Sequence, residues 1–78
     1  MYATITTHLQ TIVVERAGPV VYLTLDRPDV RNAMNMRMVE EIRDFFLSLA
    51  DDRSIRCIIL RGAAETFCAG ADIKEMRD

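Results

Sequence analysis

No apolar run in this 78-residue chain approaches the length of about 20 residues that a bilayer-spanning helix needs, so no membrane segment is expected. The opening stretch, Met1 to Gln10, has no positively charged leader, no apolar core and no arginine. It reads neither as a secretory signal nor as a mitochondrial presequence, and a cytoplasmic location is the expectation. Cysteine is scarce. Cys57 and Cys68 lie within apolar stretches, lack the paired spacing of a zinc site, and read as small packing residues in a reducing compartment. No metal is expected. The sole histidine, His8, sits in a weakly patterned stretch without a partner and reads as exposed rather than catalytic. Positive charge is not in excess either: 10 Lys and Arg against 12 Asp and Glu leave a net charge of −2. Without a basic cluster there is no field to grip nucleic acid, and that class of partner is set aside.

What remains is ordinary globular material, 50% hydrophobic and 28% charged, which argues against disorder. A chain this short has room for one small domain, burying about 60% of its unfolded surface. Thr11 to Arg16 is rich in β-branched residues and reads as a strand. Ala17-Gly18-Pro19 supplies a turn, and Val20 to Leu25 resumes the pattern with Val21, Leu23 and Leu25 on one face. The two strands form a hairpin, which the stretch Ala3 to Gln10 extends only weakly. Pro28 then ends the β pattern. From Asn35, a plausible N-cap, Met38, Val39, Ile42, Phe45, Phe46 and Leu49 recur at helical spacing. Asp51 and Asp52 oppose the helix dipole, so the helix should stop close to Ala50. Met34, Met36 and Met38 read as packing at the start of this helix. Arg56 to Arg61 is a short apolar run of the kind covered on both faces in parallel sheets, which implies a crossover through the helix. Gly62 to Thr66 is a loop, and Asp72 onward begins a second helix. Only about two turns follow, too few for a stable helix, and the chain reads as a piece of a longer polypeptide.

The segment from Phe67 to Met76, FCAGADIKEM, carries the most chemical information. Its small residues let a ligand approach the backbone just before a helix start, where the first N–H groups have no intrahelical partner. Asp72 suits the N-cap or first turn, and the N–H of Ala71 is then a candidate donor to an oxygen that gains negative charge. From spacing alone the leading reading is plainer: a tight strand-to-helix turn filled with small residues for packing.

FCAGADIKEM resembles the signature of the crotonase superfamily, the enoyl-CoA hydratase/isomerase family. A second segment, Asp26-Arg27-Pro28-Asp29-Val30-Arg31-Asn32-Ala33-Met34, resembles that family's Arg-Pro…Asn-Ala-Leu run, with Met34 in place of the usual Leu. The resemblance covers about Val13 to Arg77. It implies an α/β crotonase-like spiral of ββα units, of which residues 1–78 are the N-terminal segment: hairpin, helix, strand and the start of a second helix. By resemblance the backbone N–H of Ala71 is an oxyanion-hole donor to a thioester carbonyl. Ala69, Asp72, Ile73 and Lys74 flank the acyl-CoA, with Ala69 and Ile73 near the adenine, and Val30, Arg31 and Ala33 form the opposite wall. Arg31 and Lys74 either meet CoA phosphates or are solvated surface charges.

The resemblance further implies hydration of a 2-enoyl-CoA in fatty-acid or related metabolism, no cofactor beyond the coenzyme A of the substrate, and homo-oligomers that are trimers or dimers of trimers. The second oxyanion donor and the acid/base carboxylates of the hydratases lie beyond the matched stretch, and Glu65 and Glu75 match no catalytic position. The piece alone is therefore expected to be inactive. Other superfamily reactions (isomerisation, hydrolysis, dehalogenation, decarboxylation) and a non-catalytic CoA-binding or assembly module stand as alternatives.

Overall fold

A computed structural model describes residues 4–64, 66–68 and 70. Among these residues, four strands make one sheet in sequence order: β1 (Thr4–His8), β2 (Ile12–Ala17), β3 (Val20–Leu25) and β4 (Cys57–Gly62). The first three are antiparallel neighbours, and β4 runs parallel to β3. One helix, α1 (Met36–Ser48), joins β3 to β4 after a single 3-10 turn over Pro28–Val30. This mixed α/β arrangement agrees with the expected hairpin, helix and strand.

The β2–β3 hairpin closes between Ala17 and Val20, with Gly18 at the first loop position and φ at +62°. A two-residue loop needs a left-handed residue there, and glycine adopts it without a Cβ penalty. The alternation read from the sequence is realised, since Val21, Leu23 and Leu25 are all buried. With Ile12 and Met38, Leu23 and Leu25 make the core, and Val14, Met34, Ile42, Phe45 and Cys68 pack around it. The helix thus covers the hairpin through Met38, Ile42 and Phe45, the three- and four-residue spacing of one face. Of the methionines at the start of α1, Met38 is fully buried, Met34 flanks the core, and Met36 is exposed.

Helix α1 begins where expected. The Asn35 side chain accepts a hydrogen bond from the Met38 N–H at 2.9 Å, satisfying one of the orphan donors of the first turn. It ends at Ser48, before the two aspartates. Asp52 instead accepts from Arg16 of β2 at 2.9 Å and from both the backbone and the hydroxyl of Ser54. The Ser54 hydroxyl and the Arg16 guanidinium hold its carboxyl down at about 2. This cluster ties the α1–β4 connection to the hairpin, and the Arg56 N–H then donates to Pro19 O at 2.7 Å as β4 begins.

Three sequence expectations are corrected. The stretch before Thr11 does not lengthen the first strand. It turns back at residues 9–11 and forms the separate strand β1, whose side chains are all exposed. Strand β4 is not covered on both faces: Leu60 is 51% exposed and Ile59 39%. The helix lies over β2 and β3, and the described residues leave β4 largely open. Cys57, at the start of β4, is exposed rather than packed, whereas Cys68 does pack against the core. His8 is exposed, as expected.

The β1–β2 turn is held by a helix side chain. The Glu41 carboxylate accepts from the Thr11 N–H at 2.9 Å, the Thr11 hydroxyl at 2.6 Å and the Gln10 N–H at 3.1 Å. Burial pushes its pKa up, but the Thr11 hydroxyl, the Thr11 and Gln10 amides and the nearby Arg37 outweigh this and lower it. A carboxyl depressed by folding contributes stability above its unfolded pKa, and that contribution disappears as pH falls through the folded value. Glu41→Gln should therefore lower stability at pH 7 by about 1 kcal/mol. In urea unfolding followed by circular dichroism, the gap between wild type and variant should shrink from pH 5 downward. An unchanged gap at pH 3 would contradict the assigned role.

Candidate functional site

Parallel pairing decides where the two motif segments meet. Leu25 lies opposite Gly62, so the chain leaves β3 and β4 at the same edge of the sheet. The loops that follow, 26–35 and 63–70, emerge side by side. In open α/β sheets this carboxyl edge is where ligands bind.

The first loop is built tightly. Pro28 opens the 3-10 turn with its φ preset, and Val30 and Asn32 both donate backbone N–H groups to Arg27 O, at 3.1 and 2.7 Å. Arg31 and Asn32 are both left-handed, with φ of +56° and +58°. Asparagine tolerates this conformation because its short amide bonds locally, but arginine gains no such relief. Holding Arg31 there costs about 1–3 kcal/mol, which the surrounding bonds must offset.

Asn32 supplies those bonds. It is completely buried, and its carboxamide is fully used. The Asn32 Oδ1 accepts from the Arg27 N–H at 2.8 Å, while Nδ2 donates to Ala63 O at 2.9 Å and Thr66 O at 2.5 Å. One side chain therefore joins the loop after β3 to the loop after β4. Arg27 adds a second support, donating from Nη1 to Ala33 O at 2.7 Å.

A further bond lies closer to the segment of interest, where the Met34 N–H donates to Gly70 O at 2.8 Å. Gly70 sits at φ +109°, a conformation that only glycine enters readily. Cys68, two residues before it, packs against the core, and its sulfur accepts weakly from the Gly70 N–H. The second loop is thereby held at Ala63, Thr66, Cys68 and Gly70.

Of the site residues expected from the sequence, Val30, Arg31 and Ala33 come together in the first loop. Val30 and Arg31 are exposed and Ala33 is half-buried. Ala69, Ala71, Asp72, Ile73 and Lys74 lie outside the described residues, as does the expected second helix. Sequence reasoning missed Asn32 and Arg27 as supports. Both stand in the quoted motif, but a polar residue in a polar turn carries no periodic signal of burial. The available hint was an asparagine close behind Pro28, in a turn rich enough in local bonds to accept a left-handed residue.

The chemistry on offer at this edge is largely that of the backbone. Among the described residues, the carboxyls with displaced pKa values, Glu41 and Asp52, belong to the scaffold rather than to these loops. Among the described residues no group of three or more His, Cys, Asp or Glu side chains could hold a metal ion. A separate concavity of about 460 Å³, lined by Leu9, Val14, Phe45, Arg37 and Glu41 among others, lies between the first hairpin and α1 and shares no residue with the two loops.

The comparisons with known proteins agree with this architecture. The sequence profile of the enoyl-CoA hydratase/isomerase family matches residues 15–78, and the chain belongs to that family. A probable enoyl-CoA hydratase of Mycobacterium tuberculosis is 46% identical over 69 residues, which is 88% of this chain and 27% of that protein. The crystal structure of an enoyl-CoA hydratase/isomerase from Marinobacter aquaeolei superposes with a TM-score of 0.80 at 48% identity, covering 85% of this chain and 25% of that one. The 3-hydroxyisobutyryl-CoA hydrolase 1 of Arabidopsis thaliana is 37% identical over 62 residues, 80% of this chain and 16% of that protein. The chain thus spans about a quarter of the length of its hydratase relatives, and its fold is the N-terminal part of theirs.

Gly62 sets how closely the second loop approaches the end of β4. A Cβ at this position would fall inside contact distance of Thr66 O and 2.5 Å from Phe67 O, both backbone atoms that cannot swing aside. Gly62→Ala should displace the 66–67 segment and cost about 1–3 kcal/mol. Thermal unfolding, together with amide exchange at Ala63 and Met34, would register both effects. Unchanged melting and exchange would show the approach to be looser than described.

Proposed function

We propose that this chain supplies one wall and one carbonyl-polarising amide of an acyl-CoA site, and that the protein carrying it adds water to a 2-enoyl-CoA. The observation behind this reading is the joining of the two family segments at one sheet edge by the Met34 N–H to Gly70 O bond of 2.8 Å. In this reading the backbone N–H of Ala71 donates to the thioester oxygen. Ala69, Asp72, Ile73 and Lys74 flank the acyl-CoA, and Val30, Arg31 and Ala33 line the facing wall. Arg31 and Lys74 are the cations that would meet the phosphates.

The mechanism follows from where charge develops. Attack of water on the β-carbon moves electron density into the thioester carbonyl, and a preplaced amide stabilises that enolate-like oxygen more than it stabilises the ground state. Loss of one such donor typically costs about 3–4 kcal/mol of transition-state stabilisation. Proton delivery would fall to carboxylates outside this chain, so residues 1–78 alone would bind weakly and turn over nothing. Coenzyme A enters as part of the substrate, with no separate cofactor. The working form would be a cytoplasmic homo-oligomer, a trimer or a dimer of trimers.

The similarity to the Arabidopsis hydrolase favours one second reading, thioester hydrolysis with the same polarised carbonyl. The gene product that carries this chain should consume a short 2-enoyl-CoA, seen as loss of the conjugated thioester absorbance. Release of free CoA thiol from a 3-hydroxyacyl-CoA without hydration would select the hydrolase reading. Failure to bind any acyl-CoA would overturn both.

A further inference from the structure

We infer that Asn32 is a positioning residue for the acyl-thioester site: its carboxamide sets the distance between the two loops and so aims the peptide that follows Gly70. This rests on the functional reading above. Two observations and one rule of peptide geometry carry it. First, Asn32 is completely buried, and every polar atom of its side chain is spent on the two loops: Oδ1 on the first through Arg27, Nδ2 on the second through Ala63 and Thr66. Its backbone is left-handed, φ +58°, and its carboxamide bonds both within its own loop, to Arg27, and across to the second loop. Second, the cross-loop bond two residues later, Met34 N–H to Gly70 O, falls at the end of the stretch that Asn32 anchors. Third, the carbonyl so held shares a rigid plane with the N–H of the next residue, because the peptide unit is planar. A donor that fixes the Gly70 oxygen therefore restrains the amide assigned to the thioester oxygen, and Asn32 fixes the loop from which that bond is made.

A residue of this kind touches no substrate. Its removal should leave ground-state binding in place and weaken the interaction made in the transition state, which lowers kcat and kcat/KM together. Displacement of a donor by a fraction of an ångström is enough, since oxyanion contacts are effective only near 2.7–3.1 Å.

Two variants of the gene product that carries this chain test the inference. Asn32→Asp keeps the acceptor for Arg27 and removes both donors, and Asn32→Gly keeps the left-handed backbone and removes the whole amide. Hydrogen exchange at the Met34 amide should speed up by about tenfold or more in both, while amides of the β2–β3 ladder such as Leu23 keep their protection. With a 2-enoyl-CoA, kcat should fall by about tenfold or more and KM should stay within about threefold. Unchanged Met34 exchange overturns the inference. So does equal loss of protection across the ladder, or failure of both variants to fold, since Asn32 would then only stabilise the fold. A wild-type protein that ignores acyl-CoA but shows the local exchange effect would sink the functional reading and leave the loop-setting role of Asn32 standing.

Discussion

The parallel pairing of β3 with β4 is the constraint from which the rest follows. Antiparallel strands send their connections to opposite edges, whereas parallel ones release them at the same edge. With Leu25 beside Gly62, the loops that follow β3 and β4 are forced to leave the sheet together, and the Ala63 N–H returns to Leu25 O at 2.7 Å to lock that exit. The pairing in turn needs α1, because a parallel return requires a crossover, and α1 needs the apolar face of the hairpin to bury Met38. The hairpin, the helix and the fourth strand are thus one mechanical unit that delivers two loops to one place.

Division of labour between side chains and backbone is clear in this unit. Charged side chains serve the connections. Glu41 grips the β1–β2 turn, Arg16 with Asp52 and Ser54 secures the passage into β4, and Arg61 lies across the outer face, paired with Glu15 at 2.8 Å and stacked over the Tyr22 ring. The loops that leave β3 and β4 depend mainly on main-chain groups and the neutral amide of Asn32, with the Arg27 guanidinium adding one bond to Ala33 O. Main-chain and carboxamide groups keep their donors and acceptors at any pH, so these cross-loop bonds do not depend on a titrating partner.

The parts of this structure that were legible in the sequence are those with a period. Val21, Leu23 and Leu25 alternate, and Met38, Ile42 and Phe45 recur at helical spacing, so β3 and α1 declare which face is buried. Asn35 was legible as a cap because capping is local. Strand β1 was not, because its five residues bury nothing and only their β-branched character marks them. The exposure of β4 was not legible either: a run such as Cys57-Ile58-Ile59-Leu60 says what would cover a strand, not whether the described residues do. Asn32 escaped for a different reason. Its burial depends on Ala63 and Thr66, more than thirty residues away, and no window along the chain contains both ends of those bonds. The expected oxyanion donor, Ala71, lies outside the described residues, and its assignment rests on the motif and on family membership.

The manner in which β1 is attached has a consequence for alignment. A strand with side chains in a core cannot shift by a residue without turning its apolar set outward, which makes its register costly to change. Strand β1 has no such ballast, and sliding along β2 would sacrifice ladder bonds but no buried apolar area. What indexes it is the turn at Gln10 and Thr11, clasped by a carboxylate belonging to α1. The helix thereby acts as the ratchet pawl of a strand that lies outside its hydrophobic contact.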